Sequence, residues 1–318
     1  MKSKLLRLVK VIVSVSLIAI LIGSVDWSEI FSQANELSAP PALLAVVLLS
    51  LQYPISAWKW RKSLRLHGVE YGLGYLLRIL CIAFFFNNFL PSAIGGDAYR
   101  AYRTFEHAGR PVYSISAVIV ERVLGLIALV VLGYGCAIAL VVNGTLPYQQ
   151  EMIFLSAVSF LFLALFGIAW KTGHLGKIED RLHKVSKLEP IMESVRTIRE
   201  NRQHMLGLVC LSLLFQAIAI AAIALLFSAL ALPGVIFESG VTATVAGVAG
   251  VIPLSINGIG IVEGSFAVAA VVAGLAYSKA VIVALFVRVY GLASSIIFGV
   301  LYILERDKGS ITDERPAA

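Results

Sequence analysis

The chain has 318 residues, 59% hydrophobic and only 14% charged, with a mean hydropathy of +0.88. Soluble domains carry far more charge, so this composition excludes a soluble enzyme and leaves a helical protein that crosses a membrane many times. The formal charge of +7 is not a nucleic-acid signal, because the basic residues fall in short stretches between apolar runs.

Taken in chain order, Lys2, Lys4, Arg7 and Lys10 precede an apolar run from Val11 to Val25. No small-x-small cleavage site follows, which predicts a retained first span over about 5–25. Further spans are predicted at about 40–58, 113–142, 152–171, 206–232 and 279–304. Two other apolar segments, about 74–99 and 239–276, break midway into glycine-rich polar stretches. The first break runs Asn87-Asn88-Phe89-Leu90-Pro91-Ser92-Ala93-Ile94-Gly95-Gly96-Asp97. The second runs Pro253-Leu254-Ser255-Ile256-Asn257-Gly258-Ile259-Gly260-Ile261-Val262-Glu263.

Basic residues orient these segments. Lysine and arginine cluster before the first span, in 59–78, in 100–110, in 171–202 and in the tail, and these stretches hold 23 of the 26. The intervening loops carry Asp26, Glu29, Glu36, Glu151 and Glu238, with Lys279 the exception. The positive-inside rule then places both termini in the cytoplasm. Segment 74–99, basic on both flanks, must enter and return from inside, and 239–276 must do the same from outside. The expected fold is therefore an all-α polytopic membrane protein, one integral domain over 1–318, with six spanning helices and two re-entrant helical hairpins.

An offset of 166 residues superimposes Asp97 on Glu263 and Arg122 on Arg288. This predicts an inverted-topology repeat, 5–142 and 152–304, joined by a basic cytoplasmic linker at 171–205 and followed by a tail at 305–318. The linker has apolar residues at helical spacing. It reads either as an amphipathic helix on the anionic leaflet or as an ordinary solvated connector.

Ionisable residues at membrane depth are costly and are functional candidates by default. Asp97 and Glu263 can receive a cationic headgroup or carry a proton; as a competing reading, each caps a helix, Asp97 the one starting near Ala98. Arg122 and Arg288 can clamp a lipid phosphate bidentately, or form buried ion pairs with Asp97, Glu121 or Glu263. Adjacent Glu121 and Arg122 project about 100° apart and cannot share one helix face. Arg100 and Arg103 can gather anionic headgroups at the cytoplasmic mouth, or simply be surface charge. Asn87, Asn88, Ser92, Ser255 and Asn257 can line a cavity or satisfy backbone freed at the breaks. Pro91, Gly95, Gly96, Pro253, Gly258 and Gly260 form the structural tips.

The absent motifs narrow the function. There is no GxxxxGK[ST], HExxH or GxSxG, and Cys81, Cys136 and Cys210 are scattered without a CxxC pair. No catalytic residue, metal site or cofactor is expected.

The string Asn88-Phe89-Leu90-Pro91-Ser92-x-x-Gly95-Gly96-Asp97-x-x-Arg100, followed by Glu121-Arg122, resembles the lysylphosphatidylglycerol synthase transmembrane-domain family. Pro253-x-Ser255-x-Asn257-Gly258-x-Gly260-x-x-Glu263, then Arg288, is similar to the same family. The resemblance implies the flippase-like membrane domain of the multiple peptide resistance factor, which moves aminoacylated phosphatidylglycerol. It also implies a place in the bacterial cytoplasmic membrane. A phosphatidylglycerol lysyltransferase label would come from the family name alone, because the soluble synthase domain is not seen before Ala318. The expected function is a flippase or transporter for a phospholipid or glycolipid headgroup. The alternative is the membrane subunit of a lipid-modifying, aminoacyl- or glycosyl-transfer system. A lipid-synthesising enzyme or a second copy are the protein partners left open.

Overall fold

The computed structural model describes residues 23, 28, 32, 33, 35, 37–89, 95–105, 111–144, 189–200, 202–251 and 255–306. All but Gly23 of the predicted span at 5–25, the predicted span at 152–171, most of the 171–205 linker and nearly all of the tail lie outside these residues, as do Pro91, Ser92 and Pro253. Every regular element among the described residues is helical.

Four helices are long and apolar enough to cross a membrane: α1 (Ala39–Arg65), α4 (Pro111–Val142), α6 (Arg202–Ala229, apolar from His204) and α9 (Tyr277–Arg306, apolar to Val300). The first begins with prolines in its opening turn, where no N–H partner is required, and ends with Lys62 and Arg65 against the negative end of its dipole. Shorter helices fill the two interrupted segments: the apolar α2 (Leu73–Phe89) with the polar α3 (Gly95–Phe105), and the apolar α7 (Ile236–Val251) with the apolar α8 (Ile261–Val272). A 3₁₀ turn at Ile256–Gly258 separates the latter pair. At about 1.5 Å per residue these four helices are about 17–26 Å long, less than a hydrocarbon core of about 30 Å. The remaining helix, α5 (Glu189–Glu200), lies in the linker.

Each interrupted segment folds back on itself. The Tyr71 hydroxyl reaches the Thr104 carbonyl, while at the other end the Gly96 N–H donates to Asn87 Oδ1 at 2.8 Å, so α2 and α3 are antiparallel. In the second segment Gly250 abuts Val262 and Val241 packs near Val272, giving the same antiparallel turn. The helix order repeats as well. Gly95 and Ile261, like Pro111 and Tyr277, are 166 residues apart, while α1 and α6, like α2 and α7, start 163 apart. The corresponding helices α1 and α6 pack antiparallel, with Ser38 N–H on the Ala229 carbonyl at one end and Lys62 beside Gly207 at the other.

Small residues set how closely the halves approach. Gly247, Thr244 and Gly240 on α7 meet Leu129, Gly133 and Cys136 on α4, and Gly299 on α9 meets the Phe85 ring on α2. Without water to expel, helices in lipid associate through such close backbone packing. Tyr53 on α1 sits edge-on to Phe84 and Phe298, tying three helices together. The main apolar core joins α1, α6, α7, α8 and α9 around Leu226, Phe227, Phe266 and Val281.

The linker helix α5 docks on the protein: Met192, Ser194 and Thr197 are buried, and Ser194 Oγ lies 3.1 Å from Ser116 Oγ at the start of α4. His67, just past α1, completes this junction. Its Nδ1–H donates to the Ser63 carbonyl, so Nε2 accepts from Ser116 and Thr197. Burial pushes the imidazole below its ordinary value, against the opposing pull of the Ser63 carbonyl and Glu193.

A methyl group at Gly133 would lie inside any permissible contact distance of the Thr244 side chain, itself held by Leu129 and Gly240 carbonyls. Gly133→Ala should therefore push α4 from α7 and cost about 1–3 kcal/mol, a typical overpacking penalty. Gly135→Ala, on the same helix with nothing within 4 Å, should not. Thermal melting of the two variants in detergent checks the contrast.

Candidate functional site

The first break positions a cluster of charges where α1, α3 and α4 converge. Gly96 packs so closely on α2 that a Cβ would strike the Ala83 carbonyl, and this brings the start of α3 against Asn87. Asn87 Oδ1 then accepts the Gly96 N–H and so supplies the cap for α3. Asp97, expected as a possible cap, lies instead in the first turn of a helix already begun at Gly95. Its carboxylate is taken by arginines: Arg122 Nε and Nη2 hold it bidentately at 3.1 and 2.9 Å, and Arg100 Nη1 approaches to 3.5 Å.

Arg100 is not the surface charge that the positive-inside reading allowed. Its side chain is 3% exposed, and it donates through Nη2 to Glu121 Oε2. Its guanidinium lies 4.3 Å from the Trp60 ring centroid, and Ser56 Oγ donates to Glu121 Oε1 at 3.1 Å. Glu121 and Arg122 do face apart. Glu121 is 6% exposed among α1 and α3, whereas the Arg122 side chain is 56% exposed.

Lys59 is a second correction. The sequence reading ended the span at 58 and counted Lys59 with the loop charges, but α1 continues to Arg65 and Lys59 is 3% exposed. Its ammonium lies 5.0 Å from the Phe215 ring on α6 and interacts electrostatically with Glu121, Arg100 and Arg122. Sequence reasoning missed this residue although a signal was present. Ser56, Lys59, Trp60 and Ser63 recur at helical spacing, and all four are buried on one face of α1.

The second break builds a simpler pair. Asn257 takes a left-handed conformation (φ 49°), as do Gly258 (φ 70°) and Gly260 (φ 83°), which bring the chain round to α8. Glu263 Oε2 accepts the Gly260 N–H at 2.7 Å, and Oε1 accepts from Arg288 Nε. Here one carboxylate both caps the helix and neutralises the arginine. Arg288 also reaches the Asn257 carbonyl at 3.4 Å. The hydroxyl of Ser255 is buried with no hydrogen-bond partner among the described residues.

The two breaks touch. Asn257 Nδ2 donates to Asn88 Oδ1, and Asn88 Nδ2 donates to Ser295 on α9. A continuous polar path thus runs from Glu263 through Arg288, Asn257 and Asn88, one residue from the asparagine that caps α3. The structure brings together Asp97, Arg100, Glu121 and Arg122 on one side of this junction, and Glu263, Arg288 and Asn257 on the other. Lys279, the exception to the charge pattern, donates to the Leu230 carbonyl at the end of α6 at 2.7 Å.

Beside the first cluster lies a groove of about 690 Å³ between α3 and α4. Ala101, Phe105, Ile115, Val118 and Ile119 form apolar walls, and Asp97 with Arg122 closes one end. That volume lies in the range of small-ligand sites, and apolar walls meeting one ion pair match an amphiphile better than a polar solute.

Removing one partner of a buried pair leaves the other charge stranded, at a cost of about 3–5 kcal/mol. Glu121→Gln should therefore destabilise the fold by that order, because the buried Arg100 would keep only its 3.5 Å contact with Asp97. Asp97→Asn should cost far less, since Arg122 is half exposed and Arg100 keeps Glu121. Chemical denaturation of both variants in detergent measures the difference.

No curated protein matches the chain, and neither does any solved structure. The sequence model of the lysylphosphatidylglycerol synthase TM region does, over residues 7–299. With four helices long and apolar enough to span, the chain is a multi-pass membrane protein, and it belongs to the lysylphosphatidylglycerol synthase transmembrane-region family.

Proposed function

We propose that this protein is a lipid flippase or transporter of the bacterial cytoplasmic membrane, moving a phospholipid or glycolipid headgroup while the acyl chains stay in lipid. In this reading the α2–α3 and α7–α8 hairpins are re-entrant, entering from opposite faces as halves of an inverted-topology repeat with cytoplasmic termini. Short interrupted segments at matching positions in two halves are the usual place for a transporter's substrate site. The observation that carries the reading is the Asn88–Asn257 junction, where two helix breaks, each bearing a carboxylate–arginine pair, come into contact. Irregular backbone at membrane depth is tolerated only against protein or a water-filled cavity, and in this reading the junction supplies such a place.

The groove beside Asp97 and Arg122 supports the same reading, since an alkyl chain fits its walls and a phosphate suits an arginine clamp. Exchange between leaflets would require the Asn88–Asn257 and Asp97–Arg122 contacts to open in turn. The sequence contains no nucleotide-binding loop. The driving force would then be an ion gradient, the charge of an anionic cargo at about 2.3 kcal/mol per 100 mV, or removal of the product downstream.

A carboxylate that only caps a helix can be replaced by an amide at little cost, whereas one that answers to charge cannot. Asp97→Asn should fold at little cost, and Glu263→Gln should keep the Gly260 cap but lose stability toward the Glu121→Gln level because Arg288 loses its carboxylate; both should lose lipid flipping in reconstituted vesicles. Arg122→Lys and Arg288→Lys should reduce flipping more than stability, because one ammonium cannot reproduce a bidentate clamp. Full flipping by both amide variants would leave the carboxylates as structural elements and refute the proposal.

A further inference from the structure

The two carboxylate–arginine pairs are not electrically alike. Around Glu263 the described charges balance, one carboxylate to one arginine. Around Asp97 they do not: Asp97 and Glu121 face Arg100, Arg122 and Lys59, two anions against three cations. Asp97 accepts from Arg122 and Arg100, and Glu121 accepts from Arg100 and Ser56, so Lys59 stands beside these pairs as the third cation.

The second half acts as an internal control for whether the fold needs these charges. At the 166-residue offset fixed by Asp97 with Glu263 and Arg122 with Arg288, Arg100 corresponds to Phe266 and Glu121 to Val287. The stretch of α6 corresponding to Ser56, Lys59 and Trp60, residues 217–227, is apolar throughout. Phe266, Ala222, Leu226 and Leu225 pack together there in the main core. The same helix arrangement thus closes on hydrocarbon in one half and on buried charge in the other. Buried ion pairs replaced by well-packed apolar residues are often no less stable, so fold stability does not account for the charged version.

We propose that the groove between α3 and α4 takes the anionic phosphate end of a lipid in preference to an aminoacylated, net-cationic headgroup, and that the uncompensated charge of Lys59 sets this preference. The inference rests on the transport reading and names the substrate class for the same site. Arg122, half exposed at the groove's end, contacts the phosphate, while Asp97 moves toward Arg100. Lys59 acts through the cluster as a positioning charge. In low dielectric its field is little screened, so an entering anion completes the balance and an entering cation worsens it. The apolar walls along Ala101, Phe105 and Ile115 hold an acyl chain, which assigns the phosphate to a lipid rather than to free solute.

The test is competition binding to the purified full chain in detergent, read by native mass spectrometry. Phosphatidylglycerol would compete against lysyl-phosphatidylglycerol, with glycerophosphoglycerol as the chain-free headgroup. The wild type should retain the anionic lipid over the cationic one by about tenfold, equivalent to about 1.4 kcal/mol. Lys59→Leu, which copies the apolar half, should bring the ratio near unity, and Lys59→Arg should keep it. The chain-free headgroup should bind more weakly than the lipid. A wild-type ratio at or below one overturns the proposal whatever the variants do, as does a folded Lys59→Leu protein that keeps the wild-type preference. If Lys59→Leu does not fold, Lys59→Gln takes its place under the same criteria. Equal binding of glycerophosphoglycerol would overturn the assignment to a lipid. Vesicles that show no flipping while the anionic preference holds would sink the transport reading alone.

Discussion

Breaking a helix inside an apolar protein frees backbone groups that no water is present to satisfy, and the centre of this structure is arranged around that constraint. Asn87 accepts the Gly96 N–H in the first turn of α3 across the hairpin, and Glu263 accepts the N–H of Gly260 at the start of α8. Asn88 and Asn257 then meet side chain to side chain. An orphaned amide in such surroundings costs several kcal/mol, so these side chains are fixed in place before any ligand is considered. The glycines follow from the same requirement. Gly96 lets α3 come close enough for Asn87 to reach it, and the positive φ of Gly258 and Gly260 turns the chain toward the carboxylate that caps it.

Much of this was legible in the sequence because its physical signals are local. Interrupted apolar runs marked the breaks, and spans predicted at 113–142 and 279–304 are helices at Pro111–Val142 and Tyr277–Arg306. Acids and arginines 25 residues apart, separated by a turn, could meet, and both pairs do. What stayed hidden depends on which way a side chain faces across helices. Charge counting treats lysine and arginine near a span's end as solvated, which fails for Lys59 and Arg100. Each has an aromatic ring from another helix beneath it, and Arg100 has a carboxylate as well. Nothing in the spacing of Trp60, Arg100 and Glu121 along the chain signals that they share one site. The groove between α3 and α4 was equally invisible, since apolar residues lining a cavity and apolar residues facing lipid read alike.

The two halves also divide labour differently at the residue level. In the first, capping and charge are separate: Asn87 caps α3, and Asp97 is left to its arginines. In the second, Glu263 performs both tasks with its two oxygens. A carboxylate relieved of capping can change partners without loosening its helix, a freedom that Asp97 has and Glu263 lacks. Its setting agrees, because Arg122 is 56% exposed beside a groove while Arg288 is 18% exposed. Separating an ion pair in low dielectric is expensive unless replacement contacts form at once, and Arg100, already 3.5 Å from Asp97, supplies one. At the first hairpin, capping, charge and cavity are carried by different residues. In the second, a single side chain holds the cap and the arginine together, so neither contact can be given up without the other.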